Sequence, residues 1–181
     1  MNVFAWHVHG SWMSAFVRGP HRFLVPVLRD CGPDGRGRAQ TYAWPANAVE
    51  VSPGEAARAD VDVVVLQRPC ELDGLAARWL GGRMPGRDLP AIYVEHNAPQ
   101  GRIDDMRHPA ADRPGLSVVH VTHFNQLFWD TGSTPTRVIE HGIVDPGNRY
   151  DGTLARAAVV INEAGRRGRV TGTDLLARFA S

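Results

Sequence analysis

Lysine is absent from this 181-residue sequence, and all twenty basic residues are arginine. A lysine-based catalytic or phosphate site is therefore excluded. Cysteine is scarce too. Cys31 and Cys70 stand far apart and form no Cys-x-x-Cys pair, the usage of a reducing compartment rather than of a disulfide framework. An excess of one charge sign is also missing. A net charge of +1 is not the footprint of a protein dedicated to nucleic acid or to a membrane surface. The longest strongly apolar run, Val63 to Leu66, falls far short of the ~20 residues that span a bilayer. The opening Met1-Asn2-Val3-Phe4-Ala5-Trp6-His7 has neither the basic start nor the unbroken apolar stretch of a secretory signal. The expected location is the cytoplasm.

What is present reads as a globular α/β chain. Apolar content of 43% with 22% charged residues supports a full core, and the length suits one domain, or one domain plus part of another. Short apolar runs rich in β-branched residues predict strands at 3–8, 23–28, 48–51, 62–67, 91–95, 118–122 and 137–139. Several are continuous rather than alternating, such as Val63-Val64-Val65-Leu66, as strands covered on both faces should be. Ser52-Pro53-Gly54-Glu55 reads as a capping box with proline at the first helical position. Residues 71–80 place Leu72, Leu75, Ala76, Trp79 and Leu80 on one helical stripe, with Gly81 as the stop. Residues 124–129 follow the same period. Strands alternating with helices predict a doubly wound, Rossmann-like parallel sheet. The loops 29–40 and 97–116 are long for such a fold, which points to function or mobility. Near the end, residues 157–161 predict another strand and 173–179 a helix. These either complete the first sheet or open a second domain.

In open α/β sheets, ligands sit outside the carboxyl ends of the strands. Strand one ends in His7-Val8-His9-Gly10-Ser11 and strand four in Gln67-Arg68-Pro69. Strand five ends in Glu95-His96-Asn97 and strand six in His120-Val121-Thr122-His123. Histidine at three of four ends allows two chemistries. His7-x-His9 resembles the opening ligand pair of amidohydrolase-type metal sites, although such enzymes are eight-stranded barrels of ~250 residues. Alternatively, the turn at Gly10-Ser11 brings backbone N–H groups to a diphosphate, and Arg166-Arg167-x-Arg169 forms a phosphate clamp. No Gly-x-Gly-x-x-Gly and no Walker sequence occurs, so the signatures of dinucleotide oxidoreductases and P-loop enzymes are lacking.

The order of these motifs resembles the retaining, two-lobed (GT-B) glycosyltransferases of the glycogen-synthase-like and mannosyltransferase-like group. Asp62-Val63-Val64-Val65-Leu66-Gln67-Arg68-Pro69 is similar to one strand of that group. Pro90-Ala91-Ile92-Tyr93-Val94-Glu95-His96-Asn97 is similar to the next, which ends in a histidine at the reaction centre. Val138-Ile139-Glu140-His141-Gly142-Ile143-Val144-Asp145 resembles the interdomain motif, with His141 where asparagine is usual. Gly165-Arg166 followed by Thr171-Gly172 and Thr173-Asp174-Leu175-Leu176 resembles the opening of the second lobe, with Thr171 in place of the loop lysine.

The resemblance implies an acceptor-side lobe at residues 1–150 and the linker, first strand and first helix of a donor-binding lobe at 151–181. It implies transfer of a sugar from a UDP- or GDP-sugar donor to an acceptor, with retention and without metal or other cofactor. His96 would be catalytic. Gly10, Ser11, Arg166, Arg167 and Arg169 would hold the donor diphosphate, and His9, Arg68, Glu95, Asn97 and His123 would touch acceptor or sugar. No nucleic acid and no membrane span are expected, and the expected source is bacterial. A fragment holding only the start of the donor lobe would be inactive alone. A non-catalytic nucleotide- or sugar-binding module of Rossmann type is the alternative, with a metal-dependent hydrolase behind it.

Overall fold

A computed structural model of the chain describes every residue except 39, 41, 103, 162, 180 and 181. The chain divides into two compact units, Met1–Val144 and Asp145–Ser181. In the first, seven strands form one sheet: β1 (Asn2–Ala5), β2 (Arg22–Pro26), β3 (Ala48–Val51), β4 (Val63–Leu66), β5 (Ala91–Glu95), β6 (Val118–His120) and β7 (Thr136–Val138). Every neighbouring pair is parallel. The order is β3-β2-β1-β4-β5-β6-β7, so the chain winds outward from β1 to one edge and restarts at β4 toward the other. The sheet is therefore doubly wound, and β1 and β4 flank its switch point.

The continuous apolar strands bury side chains on both faces. On one face Phe4, Trp6, Leu24, Val64, Leu66 and Tyr93 pack against Leu72, Leu75, Trp79 and Leu80. On the other, Val3, Ala5, Val25, Val65 and Val94 pack against Trp12 and Met13 of the helix α1 (Gly10–Phe16). The capping box forms at α2 (Pro53–Arg58), where the Glu55 carboxylate accepts the Ser52 N–H at 2.8 Å and the Ser52 hydroxyl at 2.6 Å. A single helix across 71–80 does not form. A wide turn over Glu71–Leu75 is broken at Gly74, whose φ of +109° only glycine adopts without strain, and α3 (Ala76–Trp79) follows. The apolar stripe survives the break, since all five of its residues are buried. The helix expected at 124–129 is α4 (His123–Phe128), capped by the Thr122 hydroxyl, which accepts the Asn125 N–H at 3.1 Å.

In Asp145–Ser181, the short helix α5 (Ala164–Arg167) leads into 3-10 helices over Gly168–Thr171 and Thr173–Arg178, the second where a helix was expected at 173–179. The strand expected at 157–161 does not form. Among the described residues this unit offers no second strand, and a lone strand has no ladder for its N–H and C=O groups. Among the described residues, no helix is long and apolar enough to cross a membrane.

Candidate functional site

The four polar strand ends come from β1, β4, β5 and β6, which are consecutive in the sheet, so their side chains meet along one carboxyl edge. At its centre the His96 ring lies against the His9 ring, with centroids 4.1 Å apart. Trp12 of α1 meets His96 edge-on at 5.0 Å and stacks on Phe16 at 4.5 Å. Burial holds the His96 imidazole far below its ordinary 6.5, at about 3, and the positive charges that His9 and His141 carry when protonated act in the same direction. His9 is lowered by burial as well, against the opposing pull of the Glu95 carboxylate. Both rings are therefore neutral at physiological pH.

Gln67, buried just beyond β4, joins the switch point to His96. Its Nε2 donates to the Trp6 carbonyl at 2.8 Å, and its Oε1 lies 3.1 Å from His96 Nε2. Beside it, Glu71 is fully buried and accepts the Gln67 N–H at 2.6 Å and Arg68 Nε at 2.7 Å. Arg68 also donates to the Pro33 carbonyl at 2.9 Å and to Asp34 at 3.2 Å. This arginine, expected at a sugar, is thus committed to pinning the loop around 33–34 and to balancing a buried carboxylate.

The Glu95 carboxylate is buried and occupied within the fold. Its Oε1 accepts the Asn97 N–H at 2.7 Å, and its Oε2 lies 3.1 Å from His108 Nε2. His108 Nδ1 accepts the Ala110 N–H at 2.9 Å, so Nε2 carries the proton and donates to Glu95. Together these bonds fasten the long β5–β6 loop to the end of β5. Asn97 is exposed, and its carbonyl accepts Trp129 Nε1 at 2.8 Å.

His7 is buried and donates from Nδ1 to the Gly37 carbonyl at 2.9 Å, which leaves it anchoring the 29–40 loop. Gly10 opens α1 beneath Tyr42, and a Cβ built there would lie 2.7 Å from Tyr42 Cε2. Glycine at this point thus admits an aromatic ring over the helix start. Ser11 is exposed in the first turn, and His123 is exposed at the start of α4. Arg166, Arg167 and Arg169 are exposed in the second unit, Arg166 paired with Glu163 and Arg169 with Asp174 at 2.7 Å. The edge therefore brings together His9, Glu95, His96, Asn97 and Arg68. Gln67, from the polar ending of strand four, also shapes it, as do Trp12, His108 and Tyr42, to which the sequence assigned no role at the site.

A cleft of 450 Å³ adjoins this edge through Trp12, floored by Ile92, Val94 and Val119 and bounded by Phe16 and Ile139. His120, on β6, is fully buried, and neither ring nitrogen has a hydrogen-bond partner among the described residues. Burial and the nearby His108 lower its pKa, against Glu95. No protein-family model, no curated protein and no solved structure matches the chain, so its function is to be read from the chemistry of this edge.

Proposed function

We propose that Met1–Val144 is the acceptor-side lobe of a retaining glycosyltransferase that uses a nucleotide-diphosphate sugar. The observation that carries this reading is His96. Its ring is neutral, stands at the carboxyl end of β5 beside the switch point, and lies against His9 of the β1–α1 turn. A neutral imidazole in a partly dry edge suits contact with sugar hydroxyls and with a reacting centre that gains positive character, which a cationic ring would oppose. The resemblance of residues 90–97 to the strand bearing that family's reaction-centre histidine supports the same role. The apolar cleft next to Trp12 gives the acceptor side a surface of its own.

Tyr42 over Gly10 favours a second reading, a sugar-binding module without turnover, because an aromatic ring covers the backbone that a diphosphate would approach. The test is binding of UDP- and GDP-sugars to the 181-residue chain, read by ligand-observed NMR and calorimetry. The expected Kd is on the order of millimolar, because most donor contacts would belong to a second lobe. His96→Ala should weaken that binding at unchanged melting temperature. Micromolar affinity, or a His96→Ala variant that binds as the parent does, refutes the lobe assignment. Binding without sugar transfer in any protein carrying both lobes favours the module.

A further inference from the structure

We infer that Gln67 is a positioning residue that fixes His96 as a hydrogen-bond acceptor through Nδ1, so that the group this edge receives is a hydrogen-bond donor such as a hydroxyl. The argument is a chain of donors and acceptors. The Trp6 carbonyl can only accept, so the Gln67 amide must turn its NH₂ toward it, at 2.8 Å. The amide oxygen is then left facing His96 Nε2 at 3.1 Å, and an oxygen without hydrogen can only accept. His96 must therefore carry its proton on Nε2, and Nδ1 keeps its lone pair. Among the described residues Nδ1 has no hydrogen-bond partner.

Three further observations hold the chain in place. Gln67 is only 7% exposed, so its amide does not exchange these bonds freely with solvent. Its own N–H is held by buried Glu71 at 2.6 Å. Trp6, which supplies the carbonyl, is itself buried and donates from Nε1 to the Asp34 carbonyl at 3.0 Å. The backbone just after β1, the side chain after β4 and the ring after β5 thus set one proton.

The consequence is chemical selectivity. A neutral imidazole presenting a bare nitrogen accepts a hydrogen bond from a hydroxyl and repels a phosphate or carboxylate oxygen, which has no hydrogen to give. Glutamine is suited to this task where aspartate, glutamate or arginine is not. Its two ends have opposite polarity, and it adds no charge that would pull the imidazole toward protonation. The catalytic weight of this arrangement rests on the glycosyltransferase reading, whereas the tautomer itself does not.

The test uses ¹⁵N-histidine-labelled chain and long-range ¹H–¹⁵N correlation spectra, with the His96 signals assigned by their loss in His96→Gln. In the parent protein at about pH 7, Nε2 should be protonated and Nδ1 bare. In Gln67→Met, which keeps bulk and removes the acceptor, exchange of the Nε2 proton with water should accelerate about tenfold, the factor one hydrogen bond of ordinary strength confers. In Gln67→Glu, the acceptor remains and a negative charge arrives. The Nε2 proton should stay, and the titration midpoint of His96 should rise by about 1–3 pH units.

A proton on Nδ1 in the parent overturns the proposal, as does a Gln67→Met variant of unchanged circular dichroism with unchanged exchange. If Gln67→Met does not fold, the parent tautomer and the Gln67→Glu midpoint decide, and a midpoint that does not rise counts against the proposal. These readouts need no turnover. Failure of sugar binding in the earlier test would remove the transferase reading while leaving the tautomer measurement intact.

Discussion

Lowering the pH should destabilise the fold through His96 by an amount that the structure sets. The ring titrates at its ordinary 6.5 in the unfolded chain and at about 3 in the folded one. Since the folded-state pKa is the lower, the unfolded chain binds the proton more readily. The contribution is complete above 6.5 and is lost as pH falls from there toward about 3. Between pH 7 and pH 5 the linkage relation gives a loss of about 2 kcal/mol, which solvent screening of a partly exposed ring reduces to about 1 kcal/mol. His7, His9 and His120 are lowered in the same direction, so the parent protein should lose more in total. The His96 share is isolated by urea unfolding of parent and His96→Gln at both pH values, because glutamine does not titrate. The stability difference between the two pH values should be smaller in the variant by about 1 kcal/mol. Equal pH slopes would refute the reasoning, since they would mean that His96 binds its proton as easily in the fold as outside it.

Arg68→Met should lower the unfolding free energy by about 3 kcal/mol, because it leaves the Glu71 carboxylate, fully buried, without its cation. A loss below about 1 kcal/mol in urea titration would contradict that account. His120→Leu should raise stability by about 1 kcal/mol, since it removes two buried ring nitrogens that find no protein partner among the described residues. A melting temperature lowered by several degrees would contradict that account.

All seven strands were legible because strands buried on both faces are written as unbroken apolar runs, and Val63 to Leu66 is the plainest. Their order was not, because the pairing of β1 with both β2 and β4 is a long-range choice that no local pattern states. Helix α1 escaped notice for a local reason: it is seven residues long, starts at glycine, and has no side-chain cap. The run 157–161 misled because strand propensity is real only where a neighbour completes the ladder. At the site, the histidines after β1, β5 and β6 were visible as polar residues closing apolar runs. What they do was hidden. His108 reaches Glu95 from a loop without periodicity, and the orientation of Gln67 depends on a backbone carbonyl 61 residues away.

That separation has a kinetic meaning. Gln67 reaches back 61 residues to Trp6 and forward 29 to His96, while His7 reaches 30 residues to Gly37. None of these bonds forms within a hairpin or a single helix, so each must wait for the entropy of a long loop to be overcome by the sheet itself. No partly folded chain with only local structure holds the His96 proton in place. The edge acquires its chemistry in the step that seats β4 between β1 and β5, and it loses that chemistry whenever β4 leaves.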